Sequence, residues 1–182
     1  MNVEQVSDEL VSGLPSFVRW SGENPLTLDW WAPSITGDPC LDYAAGEAHL
    51  QSAFDVFPNF RDPSASPFYR TFATPLFADP CAVLSGIILA MRTSGPIECG
   101  FVDALTKKAM AGRIPPIDPN QDEDVQNGFL LGDACLAVAR LINDPRLVSG
   151  EILSVIDQTM DGVTASGFLA IICAAALAGA LH

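Results

Sequence analysis

Basic residues are scarce in this chain of 182 residues, because nine Lys and Arg stand against 22 Asp and Glu, for a formal net charge of −13 at pH 7. A nucleic-acid-binding protein needs Lys and Arg to contact phosphates, so this balance argues against that class. An acidic chain can instead mimic nucleic acid and block a DNA-binding enzyme, but the acids here are dispersed among helix-capping positions. The simplest role of the charge is solubility.

Motifs for cofactors and metals are also lacking. The chain has no Gly-rich loop after a strand, no phosphate-binding loop, no HExxH and no GxSxG. It has two His, and its five Cys form no CxxC pair. We predict no cofactor and no metal site. The N-terminus shows no basic region followed by an apolar run, so we expect no signal peptide and a reducing, cytoplasmic location with free thiols.

What the chain does have is apolar residues, which make up 49% of it. This length and composition predict one domain, residues 1–182, with a substantial core. The uncharged stretch from Gly162 to His182 is long enough to span a bilayer. Its Ala and Gly content and the lack of flanking Lys or Arg favour a buried C-terminal helix, so we predict no membrane partner.

The composition changes near residue 80. All three Trp, both Tyr and seven of ten Phe lie before that point, and Ala, Leu, Ile and Val at helical spacing follow it. We predict an all-α protein, with an aromatic, proline-rich N-terminal arm and short helices over 1–80 and a helical core over 81–182. The segment Pro58–Pro80 reads as a loop that wraps the core or a second subunit, with a short extended piece in FYRTFATPLF.

Three predicted helices follow an Asp-Pro step, at residues 38–39, 79–80 and 144–145. In this step Asp caps the helix and Pro occupies its first position. Acids at 122–124 suit another helix start. We expect the helix Cys40–Val56 to turn Leu41, Ala45, Ala48 and Phe54 toward the core, and Cys81–Arg92 to be central. The predicted helices are Val3–Val11, Cys40–Val56, Cys81–Arg92, Ile97–Ala111, Val125–Ile142, Arg146–Met160 and Val163–Leu181.

Cys99 lies in the first turn of a predicted helix, where the helix dipole favours a thiolate. Glu98 and Asp103 oppose that effect. Asp103 shares a helix face with Cys99, and it also has the i, i+4 spacing for a surface ion pair with Lys107. The thiol is therefore either structural or involved in redox or substrate chemistry.

Three further residues are candidates for a site. His49 is close in sequence to Asp42 and Glu47, although Glu47 and His49 point to different helix faces, which disfavours a metal site. His49 can alternatively pack beside Cys99 as a base. Trp30 and Trp31 form either a ligand-binding aromatic pair or an anchor for the N-terminal arm.

From Cys81 to Leu181 the order of elements resembles the alkylhydroperoxidase D-like, or carboxymuconolactone decarboxylase-like, superfamily. The apolar helix CAVLSGIILAMR precedes the Cys-bearing helix CGFVDALTKKAMAG. A Pro/Asp linker then leads to LAVARLINDPRL, SGEILSVIDQ and the apolar GFLAIICAAALAGAL. The resemblance implies a helical bundle of that type and an oligomer.

The family's chemistry uses a Glu in the first helix and a CxxC with a His one turn later. In this chain Cys99 matches the second Cys, whereas Pro96 stands at the first Cys, Asp103 at the His and Leu84 at the Glu. The resemblance therefore does not carry over an activity.

Three function classes follow. The first is a non-catalytic or diverged alkylhydroperoxidase D-like protein, oligomeric, that binds a small apolar ligand or a protein partner. The alternative is a thiol-dependent peroxidase-like or decarboxylase-like enzyme in which Cys99, Asp103 and His49 are the candidate catalytic residues. A second alternative is the acidic mimic of nucleic acid.

Overall fold

The computed structural model of the chain describes residues 14–20, 28–61, 80–91, 94–157 and 162–181. Within these ranges the protein is all-α, as predicted. Strands β1 (Arg19–Trp20) and β2 (Leu28–Asp29) form one antiparallel pair that the sequence analysis missed. The helices are α1 (Pro39–Arg61), α2 (Pro80–Ala90), α3 (Pro96–Ala111), α4 (Glu123–Ile142), α5 (Pro145–Asp157) and α6 (Gly162–Ala180).

Six of the predicted helices match these elements, with most ends agreeing within a few residues. The helix α1 continues to Arg61, so the prediction that a loop begins at Pro58 was wrong, and residues 62–79 of that predicted loop lie outside the described residues. The predicted helix Val3–Val11 and the extended piece in FYRTFATPLF lie outside the described residues.

Two of the three predicted Asp-Pro caps, Asp38 and Asp144, are confirmed, and the third, Asp79, lies outside the described residues. The Asp38 carboxylate accepts the backbone N–H groups of Cys40 at 2.8 Å and Leu41 at 3.2 Å. Asp144 accepts the N–H of Arg146 at 3.1 Å. Asp122 accepts the N–H of Asp124 at 2.9 Å. These carboxylates satisfy donors that have no partner within the helix.

The centre of the bundle is α3, which contacts α1, α4, α5 and α6. Its residues Phe101 and Leu105 are fully buried. The prediction that the helix at Cys81–Arg92 is central was wrong, since α2 is apolar but packs mainly against α6. A helix that is apolar on most sides need not be the one with most neighbours.

The crossing of α1 and α3 is close because a glycine lies on each helix at the contact. A Cβ at Gly46 would collide with the carbonyl of Ile97, and a Cβ at Gly100 would collide with the carbonyl of Tyr43. Only glycine allows two backbones to approach in this way. Glycines also allow close approach to α6. Gly112, just after α3, lies against Gly179 of α6, and Gly128 of α4 lies against the backbone around Gly167 of α6.

This crossing corrects the predicted core face of α1. Leu41 is 60% exposed, Ala48 is exposed and Ala45 is half-buried, whereas Phe54 is buried as predicted. The contact at Gly46 turns a different face inward, on which Leu50 and Ala53 are fully buried. Side-chain hydrophobicity alone did not indicate that a glycine would define the contact face.

The C-terminal helix α6 packs against α2, α3 and α4, and nine of its residues are buried. This agrees with the expected buried C-terminal helix. Both α4 and α6 are long and apolar enough to cross a membrane by length and composition. Core helices of soluble proteins often have the same property, so this is weak evidence for a membrane span.

The side chain of Arg140, on α4, caps the C-terminal end of α3. Its guanidinium donates to the carbonyls of Met110 at 3.0 Å, Gly112 at 2.8 Å and Ala109 at 3.3 Å. A cation at this end of a helix satisfies carbonyls that lack intrahelical partners and interacts favourably with the helix dipole. Arg140 therefore holds the end of the central helix.

Candidate functional site

A cleft of about 800 Å³ lies where α1, α3 and α5 meet the end of α2. It combines apolar walls with several polar side chains, as ligand pockets do. The described residues that line it are Tyr43, Met91, Ser94, Cys99, Asp103, Arg146, Ser149, Gly150, Leu153 and Ser154.

Asp103 joins the three helices of the cleft. Its side chain is 6% exposed. The Tyr43 hydroxyl of α1 donates to Oδ2 at 2.5 Å, and the Ser149 hydroxyl of α5 donates to Oδ1. The predicted surface ion pair with Lys107 was wrong, because Asp103 faces inward to these hydroxyls.

The two hydroxyls compensate for removing the carboxylate from water, which would be costly without donors. Burial and the bond to Asp103 raise the pKa of Tyr43 well above its ordinary value. The phenol therefore stays protonated and remains a donor at neutral pH. Each carboxylate oxygen keeps further acceptor capacity for a ligand.

Cys99 lines the same cleft, one helical turn before Asp103. Burial raises the pKa of its thiol, and the negative charges of Asp103 and Glu98 raise it further. The thiol lies 3.7 Å from the Ser94 carbonyl, to which it donates. The helix-dipole effect that favours a thiolate is thus outweighed, and Cys99 is mostly a protonated, weakly nucleophilic thiol at neutral pH. None of the five cysteines, all of which lie in the described ranges, is in a disulfide.

His49 does not approach Cys99 among the described residues. Its ring centroid lies 5.3 Å from that of Phe17 and 6.2 Å from that of Trp31, and Nδ1 lies 3.1 Å from the Ser16 hydroxyl. Burial lowers the pKa of His49, with a smaller contribution from the charge of Arg19. The structure therefore does not bring the predicted imidazole base to the thiol.

Of the two acids near His49 in sequence, Asp42 binds the backbone and hydroxyl of the segment before α1. Asp42 accepts the Thr36 N–H and hydroxyl at 2.8 and 2.7 Å and the Gly37 N–H at 3.2 Å, and the bonds from Thr36 lower its pKa. Within the described ranges, no group of three or more His, Cys, Asp or Glu is placed to hold a metal ion.

The tryptophans pack beside the helical core. Trp31 lies 5.0 Å from Phe17 and 5.2 Å from Phe101 between ring centroids, and its Nε1 donates to Oε1 of the buried Glu98 at 2.8 Å. Trp30 is half-buried against the same core. Neither is among the described residues that line the cleft, and the geometry of Trp31 agrees with the anchoring alternative.

Sequence reasoning identified Cys99 and Asp103 in this cleft but missed Tyr43, Ser149 and Arg146. Arg146 lies at the rim, with its side chain 74% exposed and its guanidinium paired with Asp144 at 3.1 Å. No local motif marks these residues, because the packing of α1 and α5 on α3 brings them together. The sequence did contain one signal for this cleft, which is the carboxylate of Asp103 on the apolar side of a predicted helix.

No protein-family model matches the chain, and the searches of curated proteins and of solved structures find no match either. The chain is therefore defined by its all-α fold and by a cleft built around a buried carboxylate. Its resemblance to alkylhydroperoxidase D-like proteins stays a prediction.

Proposed function

We propose that this protein is a diverged, non-catalytic protein of the alkylhydroperoxidase D-like type. It acts as a homo-oligomeric binding protein, and the cleft takes a small, largely apolar ligand that carries one hydrogen-bond donor or ammonium group. The observation that carries the proposal is the buried Asp103 carboxylate, which Tyr43 and Ser149 hold in the cleft lining.

The shape of the ligand follows from the lining. Met91 and Leu153 supply apolar surface for a hydrocarbon body. Asp103 supplies an acceptor with a fixed orientation, and its nearest polar neighbours are neutral hydroxyls. Arg146 at the rim is exposed and already paired with Asp144, so a ligand ammonium or N–H group beside Asp103 is attracted and a ligand carboxylate there is repelled.

The protonated Cys99 supports binding over catalysis. A thiol-dependent reaction needs a thiolate and a base, and here burial, with Asp103 and Glu98 next, raises the pKa of the Cys99 thiol. The second candidate remains a peroxidase-like or decarboxylase-like enzyme. It is favoured by the fact that Cys99 and Asp103 line one cleft.

The test uses Cys99 as a reporter of the cleft. Labelling by iodoacetamide is followed cysteine by cysteine with peptide mass spectrometry, in the presence of benzylamine or of benzoate. We expect benzylamine to protect Cys99 saturably, benzoate to protect it little, and the exposed Cys40 to react equally in all samples. Asp103→Asn, which keeps the shape of the side chain, should remove the preference for the amine.

The enzyme alternative is tested on the same protein. We expect consumption of hydrogen peroxide or cumene hydroperoxide in the presence of dithiothreitol to be equal for wild type and Cys99→Ser. Turnover that is lost in Cys99→Ser would overturn the non-catalytic assignment. Equal protection by both probes would overturn the role of Asp103.

A further inference from the structure

The outward side of α4 is apolar over three turns. Every exposed position from Leu130 to Ile142 carries Leu, Ile, Val or Ala, and Leu141 is 87% exposed. Half of the ten large hydrophobic side chains that are exposed in the described part of the chain belong to this helix. We call these residues the outer stripe: Leu130, Leu131, Ala134, Ala137, Val138, Leu141 and Ile142.

The spacing within the outer stripe is that of a helix-packing seam. Leu131, Ala134, Val138 and Leu141 are separated by three, four and three residues, the alternation found where two helices pack side by side. The opposite face of α4 is already used, since Gly128 and Gly132 contact α6. The helix thus has one apolar face inside the bundle and a second one outside it.

The outer stripe is complementary to itself. Six of its seven positions, all except Ala137, are symmetric about residue 136, so that 130 corresponds to 142, 131 to 141 and 134 to 138. A second α4 running antiparallel, with a two-fold axis at that level, sets Leu131 against the partner subunit's Leu141. It also sets the small Ala134 against the partner subunit's Val138. An isologous dimer requires this self-matching.

We propose that the outer stripe of α4 is a homodimer interface in which two copies of this chain pack their α4 helices antiparallel. The inference rests on the oligomeric part of the proposed function. It is independent of ligand binding, because no α4 residue is among the described lining of the cleft.

The charges around α4 favour this arrangement. Glu123 and Asp124 are exposed at the start of the helix. A parallel pair would bring these acids of both copies together, whereas the antiparallel pair separates them. A lipid surface fits less well, because interfacial helices carry Lys and Arg on their polar face. Here Arg140 is bonded to α3 carbonyls and Arg146 is paired with Asp144.

The size of the stripe suits a reversible dimer. With roughly 180 Å² for a fully exposed branched apolar side chain, its five large residues expose about 500 Å² per protomer. If all of this area is covered, two copies bury about 1,000 Å², which is below the range of stable interfaces and is the size of a weak, reversible one.

The first test is the mass in solution, by light scattering and sedimentation. We expect the wild type at twice the chain mass of 19.3 kDa at micromolar concentration. In Leu141→Glu the dissociation constant should rise at least about 100-fold, because a carboxylate would be buried against leucine without a partner. The matched control is Leu41→Glu, which changes a leucine 60% exposed on α1 and should leave the dimer intact.

The register is tested with charge pairs. Leu131→Glu combined with Leu141→Lys places opposite charges together twice in the antiparallel dimer, so dimerisation should be retained. Leu131→Glu combined with Leu141→Glu should give monomers. If both double variants are monomeric, or both dimeric, the proposed register is wrong.

The remaining outcomes also decide the question. A monomeric wild type, or an assembly that Leu141→Glu leaves unchanged, overturns the interface, and a larger assembly that this variant reduces supports it. A monomer that floats with phosphatidylcholine vesicles only when Leu141 is intact assigns the stripe to lipid instead. If benzylamine still protects Cys99 in monomeric Leu141→Glu, ligand binding does not depend on dimerisation, and the two proposals can fail independently.

Discussion

Replacing Tyr43 by Phe tests the centre of the cleft. The variant keeps the aromatic ring and removes the hydroxyl that donates to Asp103 at 2.5 Å. A hydrogen bond to a charged group contributes about 1.5–3 kcal/mol. The lower end applies, because Tyr43 is only half-buried and Ser149 still donates to the carboxylate. We expect Tyr43→Phe to lower the free energy of unfolding by about 1.5 kcal/mol.

Urea denaturation followed by tryptophan fluorescence measures this loss. The midpoint should fall with an unchanged m-value, since the variant exposes the same surface on unfolding. Ser149→Ala completes a double-mutant cycle. Both hydroxyls serve one carboxylate, so removing both should cost more than the sum of the single losses by at least about 0.5 kcal/mol.

The same hydroxyl predicts a pH dependence. Because the folded-state pKa of Tyr43 is raised above its unfolded value, its contribution to stability is complete below about pH 10 and is lost as the pH rises through the folded pKa. The chain has two tyrosines, so Tyr69→Phe leaves Tyr43 as the only phenol. Its phenolate absorbance should appear above pH 10 in the native protein and near pH 10 in urea.

Either of two results would refute this reasoning. One is an unchanged urea midpoint in Tyr43→Phe, and the other is native titration of Tyr43 near its ordinary pKa. Either result alone would already mean that the hydroxyl does not hold the Asp103 carboxylate. Tyr69→Phe, compared with the wild type in urea, is the control for removing a tyrosine elsewhere.

Three further perturbations follow from the structure. Arg140→Met removes three hydrogen bonds to the C-terminal end of α3. It should lower the free energy of unfolding, measured by urea denaturation, by about 2–4 kcal/mol. An unchanged urea midpoint would contradict the capping role of Arg140. Gly100→Ala should destabilise strongly in a thermal melt, because its Cβ meets the Tyr43 carbonyl, whereas Gly86→Ala, with open space around it, should be neutral or stabilising. His49 has a lowered folded pKa, so stability should be complete above its unfolded pKa of about 6.5 and fall with pH below it. His49→Gln should flatten that fall in denaturation curves measured between neutral and acidic pH, and an equal slope in both proteins would argue against the titration of His49.

The helices were predictable because their signals are local. The Asp38 and Asp144 caps and the long apolar stretches of α4 and α6 depend on residues that are close together in the sequence. The cleft depends on how three helices cross, and the crossing of α1 with α3 is set by Gly46 and Gly100. Glycine contributes no apolar side chain to a periodicity, so the inward face of α1 was assigned to Leu41 instead of Leu50.

Cys99 shows why a local signal at a site can mislead. Its place in the first turn of α3 favours a thiolate, and this is visible in the sequence. Burial acts in the opposite direction and is the largest cause of the raised pKa, with Asp103 and Glu98 next. Asp103 and Glu98 were visible in the sequence as well. The size of their effect on the thiol pKa depended on burial, because burial lowers the screening of their charge by water.

Asp103 affects both the protonation of the Cys99 thiol and the kind of ligand that the cleft can bind. A histidine one turn after a cysteine can accept the thiol proton and leave a thiolate paired with a cation. An aspartate at the same place adds a negative charge, and so it holds the proton on Cys99. The carboxylate has meanwhile two hydroxyl donors and spare acceptor capacity toward the cleft. Asp103 thus adds to the effect of burial in keeping Cys99 protonated, and it gives the cleft an anchor for a donor group, which is why we propose binding over thiol chemistry.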